Sequence, residues 1–468
     1  MLINLLILAF VLIGIITIAK RRELIQICAL LFFIAQLGFA AWVIINRSQT
    51  TLQYFTFDVT GITFYVLMSL VGMLTIISSI TYLDNESIRQ HKIYFTSLIA
   101  LSLSLTGLYF ANNIAVGWIF LEATTIATAG LTYHRRTPRA LEATWKYIFV
   151  SSVGIAIAYL GILLLESSMT NGSHLFYNDI MQNISGANII YGKIAFLLIL
   201  VGYSAKLEIF PLFTVGIDAN HATPSPASAF LSSALVGGGV ISLLRLYHAI
   251  EPNVELFSWV KNVLMITAIL SLVVSAVYLG RTNNYKRLLA YSTVENSSIV
   301  LLGLAISGIG VWAAVLHALS HFIIKPMAFI QLSTIGKIYG TYKVGKIGNY
   351  FKVDPIGALA LMLVLIALIA VPPSILFQSE FIILSELTQK PLAFIIVALS
   401  IITIIYWLVS KILPILYKSV DISKTNKKAK NNAISIIVIM LTLTTLILGI
   451  YLAPELQELV SIISQHSR

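Results

Sequence analysis

Long apolar runs separated by short polar breaks account for most of this chain. Most runs hold about 18 to 26 residues, and a helix of about 20 residues crosses a hydrocarbon core roughly 30 Å thick. Inside lipid every backbone amide and carbonyl must find a partner within the protein, which an α-helix achieves by itself. The pattern therefore predicts an all-α polytopic membrane protein of about 14 transmembrane helices.

The polar breaks delimit the predicted spans. The spans are 2–19, 24–46, 58–83, 93–110, 113–133, 144–166, 190–215, 223–247, 259–279, 287–307, 311–336, 355–378, 379–410 and 432–453. The first span lacks a basic start, and it runs into Lys20-Arg21-Arg22 without a small-residue cleavage site. We therefore interpret it as a retained helix and not as a secretory signal peptide.

Basic residues gather in alternate loops between the spans. They are Lys20, Arg21, Arg22, Arg89, Lys92, Arg135, Arg136, Arg139, Lys146, Arg281, Lys286, Arg287, Lys337, Lys343, Lys346, Lys352 and the cluster from Lys418 to Lys430. The longest opposite loop, 167–191, has no Lys or Arg. Because Lys and Arg mark cytoplasmic loops, we expect these loops inside and both termini outside, in the inner membrane of a bacterium or archaeon. Lipid headgroups are their expected contacts.

Composition narrows the chemistry further. The chain is 58% hydrophobic and 10% charged, with a mean hydropathy of +0.92, so we treat residues 1–468 as one transmembrane domain. The single cysteine, Cys28, excludes intrachain disulfides, thiolate zinc sites and iron–sulfur clusters. The net charge of +11 lies in topogenic loops and does not indicate nucleic-acid binding. We predict no catalytic residue, metal or cofactor.

Two ionisable residues lie deep in predicted spans, where each costs about 2.5 to 3.5 kcal/mol and so needs a partner, water or a function. Glu122 stands midway along the fifth span, and Lys206 stands five residues before Pro211, which is expected to break its helix. Broken helices at membrane depth usually line a cavity, so both residues are candidates for ion transport. The alternatives are a structurally paired carboxyl and a snorkelling lysine. Glu208 is a possible structural ion-pair partner.

His317, His321 and Lys325 follow i, i+4, i+8 spacing and therefore share one helical face over about 12 Å. Imidazoles change charge near neutral pH, so this face resembles a proton relay. A two-histidine metal site and two structural core histidines are the alternatives.

Paired prolines, Pro372 and Pro373, interrupt a second span close to Glu380, and Glu295 stands about two turns into the tenth span. Spans four to eight (93–250) and nine to thirteen (259–418) thus form two similar units of five helices. Because five is an odd number, adjacent units must be inverted relative to each other.

Four segments resemble the antiporter-like subunits of NADH:quinone oxidoreductase (complex I) and of Mrp-type cation/proton antiporters. They are Gly202–Arg245, Tyr285–Ser298, His317–Phe329 and Pro372–Leu384. Four shorter stretches are similar to the F-type membrane subunit of hydrogenase-4 and formate hydrogenlyase complexes. They are Leu121-Glu-Ala-Thr-Thr, Leu141-Glu-Ala-Thr-Trp-Lys-Tyr, Tyr285-Lys-Arg-Leu-Leu-Ala-Tyr-Ser-Thr-Val-Glu and Ser379-Glu-Phe.

The resemblance implies 14 helices with two inverted repeats, and proton translocation coupled to electron transfer in partner membrane subunits and a cytoplasmic redox module. It assigns Glu122 to the family's fifth-helix glutamate, Lys206 to its lysine on the broken seventh helix and Glu380 to its acid on the broken twelfth. His317, His321 and Lys325 resemble its eleventh-helix connecting residues. Where complex I members usually carry a central lysine on the eighth helix, this chain has Gly237. It also ends without the lateral helix of the largest complex I homologue.

The sequence therefore predicts a non-catalytic, proton-translocating subunit of a redox-driven complex. In this hypothesis Glu122 and Lys206 form an ion pair whose separation releases a proton, which passes His317, His321 and Lys325 towards Glu380. A Na⁺/H⁺ antiporter module, a structural membrane anchor and a quinone-site subunit are the alternatives.

Overall fold

The computed structural model describes residues 2–46, 52–84, 86–169, 175–423 and 425–465, which are helical nearly throughout and include no β-strand. They divide into two compact units, one running to Val263 and one from Leu264 to Gln465. Among the described residues, twelve helices are long and apolar enough to cross a membrane, and two shorter apolar helices, Leu2–Ile18 and Pro355–Leu368, accompany them. The predicted all-helical membrane fold is confirmed, but the count of 14 spans is not.

The first unit holds the helices up to the start of α12. These are α1 (Leu2–Ile18), α2 (Arg22–Ile45), α3 (Val59–Tyr82), α4 (Ile88–Phe110), α5 (Ile114–Thr132), α6 (Pro138–Ser168), α7 (Tyr177–Asn183), α8 (Ile189–Leu207), α9 (Phe213–Ala222), α10 (Ser225–Phe230), α11 (Val236–Ile250) and α12 (Val254–Arg281). A π-helical turn, Leu231–Leu235, joins α10 to α11, so that Ser225–Ile250 forms one span. That span is buried along its whole length, which makes it the central helix of its unit.

The second unit holds the end of α12 and the remaining helices. These are α13 (Tyr285–Ile306), α14 (Ile309–Tyr339), α15 (Tyr350–Val353), α16 (Pro355–Leu368), α17 (Ile375–Leu387), α18 (Pro391–Tyr417), α19 (Asn432–Ile450) and α20 (Pro454–Gln465). In α13 and α14 all but a small fraction of each span is buried. Their buried faces carry many of the buried polar side chains of the unit.

Polar caps explain where many helices begin. The side chain of Asp58 accepts from the Gly61 amide before α3, and Asn113 accepts from the Ala115 and Val116 amides before α5. Such caps satisfy amides that the first helical turn leaves without a partner.

Two helices are broken inside the apolar regions. Helix α8 ends at Leu207, and Glu208 after it has a left-handed φ of 55°. The next helix begins only at Phe213, so Pro211 lies in the break. Helix α16 ends at Leu368 and α17 begins at Ile375, so Pro372 and Pro373 lie in the second break.

The predicted spans 190–215, 355–378 and 379–410 do not match the helices. The first divides into α8 and α9 at the Pro211 break, and the paired prolines divide the second. The third predicted span begins too early. Position 379 lies inside α17, and α18 begins only at Pro391. Apolar residues continue through both breaks, so hydropathy alone could not mark them. Lys424 of the basic cluster and 170–174 of the long loop lie outside the described residues.

Candidate functional site

Glu122, on α5, is held by two hydroxyl groups of the first unit. Ser152, on α6, donates from Oγ to Glu122 Oε1 at 2.6 Å, and Thr125 donates from Oγ1 to Oε2 at 3.4 Å. Thr125 lies one turn after Glu122 on the same helix, where side chains face the same way. The carboxylate is half-buried and has a defined orientation.

Lys206, on α8, reaches the same threonine. Its Nζ donates to Thr125 Oγ1 at 2.8 Å and to the Tyr147 hydroxyl at 3.1 Å, and it lies 5.1 Å from the Tyr147 ring centroid. The side chain is 1% exposed, so snorkelling does not describe it. The charges of Lys206 and Glu122 attract each other. The direct ion pair expected between them is replaced by a hydroxyl bridge, because Thr125 stands between the ammonium and the carboxylate.

The helix break favours a cation at this position. Lys206 lies in the last turn of α8, where carbonyl groups lack helical partners and the helix dipole is negative. Glu208, just beyond it, is also buried and accepts from Asn220 Nδ2 at 2.8 Å. A Cβ atom at Gly216 would lie 2.6 Å from the Glu208 carboxylate carbon, so that glycine leaves room for the side chain.

His317, on α14, is the most completely held group of the second unit. Its Nδ1 lies 2.9 Å from Ser379 Oγ on α17, and its Nε2 lies 3.1 Å from Asn296 Oδ1 on α13. All three side chains are at most 2% exposed. The imidazole therefore connects two neighbouring helices.

Lys325 and His321 follow His317 on the same helix. Lys325 Nζ donates to the Ser292 hydroxyl on α13, one turn before Asn296, so α13 meets both Lys325 and His317. In the part of the chain that the structure describes, His321 Nε2 is buried without a hydrogen-bond partner. On the predicted shared face, His317 and Lys325 contact polar groups, whereas no hydrogen bond is described for His321 Nε2.

Two carboxyl groups complete the second unit's set. Glu295 is 4% exposed and its Oε2 has no hydrogen-bond partner among the described residues. Its charge attracts Lys325 and repels Glu380. Glu380 is 8% exposed and lies five residues after the start of α17, in its second turn.

The sequence predicts the charged residues of the site but not their neutral partners. The omitted residues that bond to them are Tyr147, Ser152, Ser292, Asn296 and Ser379. The spacing of Ser292 and Asn296 was the available signal, because polar side chains four apart share one face of a span. Ser379 could be quoted as part of a motif, but its contact with His317 joins positions 62 residues apart.

Gly237, where the resemblance expects a lysine, is buried in α11 and supplies no charge. The π-helical turn just before α11 leaves the Ala234 carbonyl to accept from the Tyr109 hydroxyl at 2.6 Å. Single π-turns inside helices are frequent at functional sites.

Arg245 forms a second polar cluster, which the sequence pattern did not predict. It donates to Asp58 Oδ1 at 2.6 Å, to the Tyr109 carbonyl at 2.7 Å and to the Ala111 carbonyl at 2.8 Å. These carbonyls lie at the end of α4, where no helical donor remains. The cluster fixes the end of α4 beside the start of α3.

Outside the spans, His134 follows α5 and is 2% exposed. Burial, together with the charges of Arg135, His91 and Arg136, lowers the pKa of His134 to about 4. Its Nε2 lies 3.9 Å from Glu86 Oε1. The described residues contain no group of three His, Cys, Asp or Glu side chains placed to hold a metal ion.

Residues 111–405 match the family described as NADH:quinone oxidoreductase/Mrp antiporter, TM. The matched residues make up more than half of the chain and contain every predicted site residue. The chain belongs to this family. It is thus an antiporter-like membrane protein, as the sequence resemblance indicated.

Individual relatives agree with the assignment to the antiporter-like family. The chain is 28% identical over 380 residues to the hydrogenase-4 component F homolog of Methylacidiphilum infernorum, covering 78% of this chain and 79% of that protein. A chain of the membrane-bound sulfane sulfur reductase, an archaeal respiratory membrane complex, has 24% identity and a TM-score of 0.88 over 99% of this chain and 96% of its own. A chain of the Mrp complex from Dietzia sp. DQ12-45-1b has 16% identity and a TM-score of 0.86, with 99% and 96% coverage. The two structures share the fold of this chain.

Proposed function

We propose that this chain translocates protons as the antiporter-like membrane subunit of a multisubunit redox-driven complex. The observation that carries the proposal is the hydroxyl-bridged contact from Glu122 through Thr125 to Lys206 beside a helix break. Lysine at a dry site can lose its proton, since burial penalises the charged form. A nearby carboxylate favours the charged form, so a change at Glu122 alters the proton affinity of Lys206.

In the first unit, the proposed switch is the bridge through Thr125. While the bridge is intact, the negative charge of Glu122 favours the protonated lysine. If Glu122 is neutralised or turns away, this stabilisation is lost and Lys206 releases its proton. The Nζ–H bond is the bond that breaks, and the proton passes to a water molecule of the proposed hydrated path.

In the second unit, we propose that His317, His321 and Lys325 carry protons along α14 towards Glu380. Glu295 adds a negative charge beside Lys325, which would favour a proton there. The order of transfer and the two inverted repeats, 93–250 and 259–418, remain predictions.

Partners and orientation belong to the same proposal. Other membrane subunits and a cytoplasmic redox module would supply the driving force, as expected for a relative of the hydrogenase-4 component F homolog. The basic loops would face the cytoplasm and both termini the outside of the inner membrane. Lipids would contact the exposed apolar helix faces.

The proposal is tested in inverted membrane vesicles from the native host carrying chromosomal variants. Vesicle acidification, followed with a pH-sensitive dye, is divided by the rate of electron-donor consumption. We expect Lys206→Ala and Glu122→Gln to lower this ratio by about tenfold or more, because proton-transfer groups typically contribute at least that much. Wild-type acidification in both variants would refute the proposal.

Matched control residues lie in the first unit, on α8 and on α6. Lys193→Ala removes a lysine from α8 that pairs with Glu255 at the surface, and Glu142→Gln neutralises an exposed glutamate of α6. Both controls should retain the wild-type ratio. Sodium is the alternative cargo, and acidification that requires added Na⁺ would favour the antiporter reading over proton translocation.

A further inference from the structure

The hydrogen bonds around His317 fix which ring nitrogen exchanges a proton. Asn296 Nδ2 donates to the Ser292 carbonyl at 2.6 Å. A carbonyl oxygen only accepts, so the amide nitrogen must face Ser292 and Oδ1 must face His317. Oδ1 also only accepts, so His317 Nε2 carries a hydrogen in both the neutral and the charged ring.

Nδ1 is therefore the nitrogen that titrates, and Ser379 is its partner. The Ser379 hydroxyl has one hydrogen and can both donate and accept. It lies 2.9 Å from Nδ1 and 2.8 Å from the Leu376 carbonyl. The hydroxyl thus stands between the ring and the backbone of α17.

Rotation of the Ser379 hydroxyl gives His317 Nδ1 a hydrogen-bond partner in both charge states of the ring. When the ring is charged, Nδ1–H donates to Ser379 Oγ, and the hydroxyl hydrogen points to the Leu376 carbonyl. When the ring is neutral, the hydroxyl turns and donates to Nδ1. A buried group that keeps a partner in both states avoids the cost of about 1 to 3 kcal/mol for an unsatisfied polar atom.

We propose that Ser379 is a proton-relay residue: His317 gives up its proton only through Nδ1, and the Ser379 hydroxyl carries it onto α17 beside Glu380. The Nδ1–H bond breaks as a new Oγ–H bond forms, and the original hydroxyl hydrogen leaves its hydrogen bond to the Leu376 carbonyl and passes to a water molecule, which becomes hydronium. One proton enters the hydroxyl and one leaves, so its charge is unchanged. This inference rests on the proposed proton translocation.

The test compares two variants of nearly equal shape in the same vesicle assay. Ser379→Thr keeps the hydroxyl, whereas Ser379→Val replaces it with a methyl group. We expect Ser379→Val to lower the ratio of acidification to donor consumption by about tenfold or more, a typical contribution of a proton-transfer group. Ser379→Thr should stay within about twofold of the wild type, since a positioned hydroxyl can still exchange the proton.

A control serine lies on the same helix. Ser385 also donates to a carbonyl three residues earlier, but it is exposed, so Ser385→Ala should leave the ratio unchanged. Equal ratios for Ser379→Thr and Ser379→Val would overturn the relay, whether both are normal or both are low. If Lys206→Ala loses acidification while Ser379→Val retains it, the relay fails and the proposed function stands. If Lys206→Ala retains acidification, the proposed function itself fails.

Discussion

The two units hold their buried charges differently. In the first unit, Glu122 and Lys206 share Thr125, and each has a further hydroxyl partner. In the second unit, Glu295 Oε2 and His321 Nε2 are buried without a partner among the described residues. Buried polar atoms are usually satisfied by protein or by water, so these two atoms are places where internal water would bind. A bridged switch suits the first unit, and a hydrated relay suits the second.

The two helix breaks differ in where the charged residue lies. Lys206 lies at the carboxyl end of a helix before its break, and Glu380 lies near the amino end of a helix after its break. The helix dipole favours the cation at Lys206, which lies in the last helical turn, by about 0.3 to 1 kcal/mol or more when partly buried. Glu380 lies beyond the first turn of its helix, where the dipole effect has fallen off. The first break is followed by Gly216, which packs on a side chain, and the second is covered by Gly449 of α19, which packs on backbone.

The largest expected effect is a loss of stability when the glycine beside the second break is replaced. A Cβ atom at Gly449 would collide with the Pro373 carbonyl and lie 2.6 Å from Ile375 N, whereas the three atoms nearest to one at Gly216 belong to the Glu208 side chain. Backbone cannot move aside as a side chain can, so we expect Gly449→Ala to cost about 3 kcal/mol and Gly216→Ala about 1 kcal/mol. Thermal unfolding of the purified protein in detergent measures both.

Gly14→Ala is the control for those substitutions, because nothing lies within 4 Å of its Cβ position. It should leave stability unchanged or raise it by up to about 1 kcal/mol, the helix propensity of alanine over glycine. Equal losses for Gly449→Ala and Gly216→Ala would show that the two breaks are equally tolerant.

A smaller effect should separate two histidines one turn apart on α14. His317→Leu leaves Asn296 and Ser379 without their ring partner, so we expect a loss of about 2 kcal/mol. His321→Leu removes a buried nitrogen that has no described partner and should be neutral or stabilising by about 1 kcal/mol. The same unfolding measurement decides. A loss at His321 as large as at His317 would mean that water or another group satisfies its Nε2.

The sequence predicted the charged residues better than their surroundings. Insertion into lipid makes a charge such as Lys206 or Glu380 costly, so its position alone marks it as a candidate. The Thr125 bridge could not be predicted, because it depends on how α5 and α8 pack. The Ser379 contact depends likewise on the packing of α14 against α17. Spans with a clear polar end were placed well, whereas the breaks at 208–212 and 369–374 lie inside continuous apolar sequence.

The smallest expected effect concerns His134, a buried histidine of the first unit that lies outside the spans. Because burial lowers its pKa to about 4, below the usual value near 6.5, the unfolded chain binds the proton more readily. Stability from this group is therefore present above pH 6.5 and is lost as the pH falls towards 4. Between pH 7 and pH 5.5 we expect the loss to be about 1 kcal/mol, and His134→Gln should remove it. Acidification at neutral pH should stay within about twofold of wild type in this variant. The His134 ring is neutral at that pH and is hydrogen-bonded to neither Glu122 nor Lys206. Loss of acidification in His134→Gln would mean that a histidine transfers protons in the first unit, as proposed for the second unit. The division into a switch in one unit and a relay in the other would then fail.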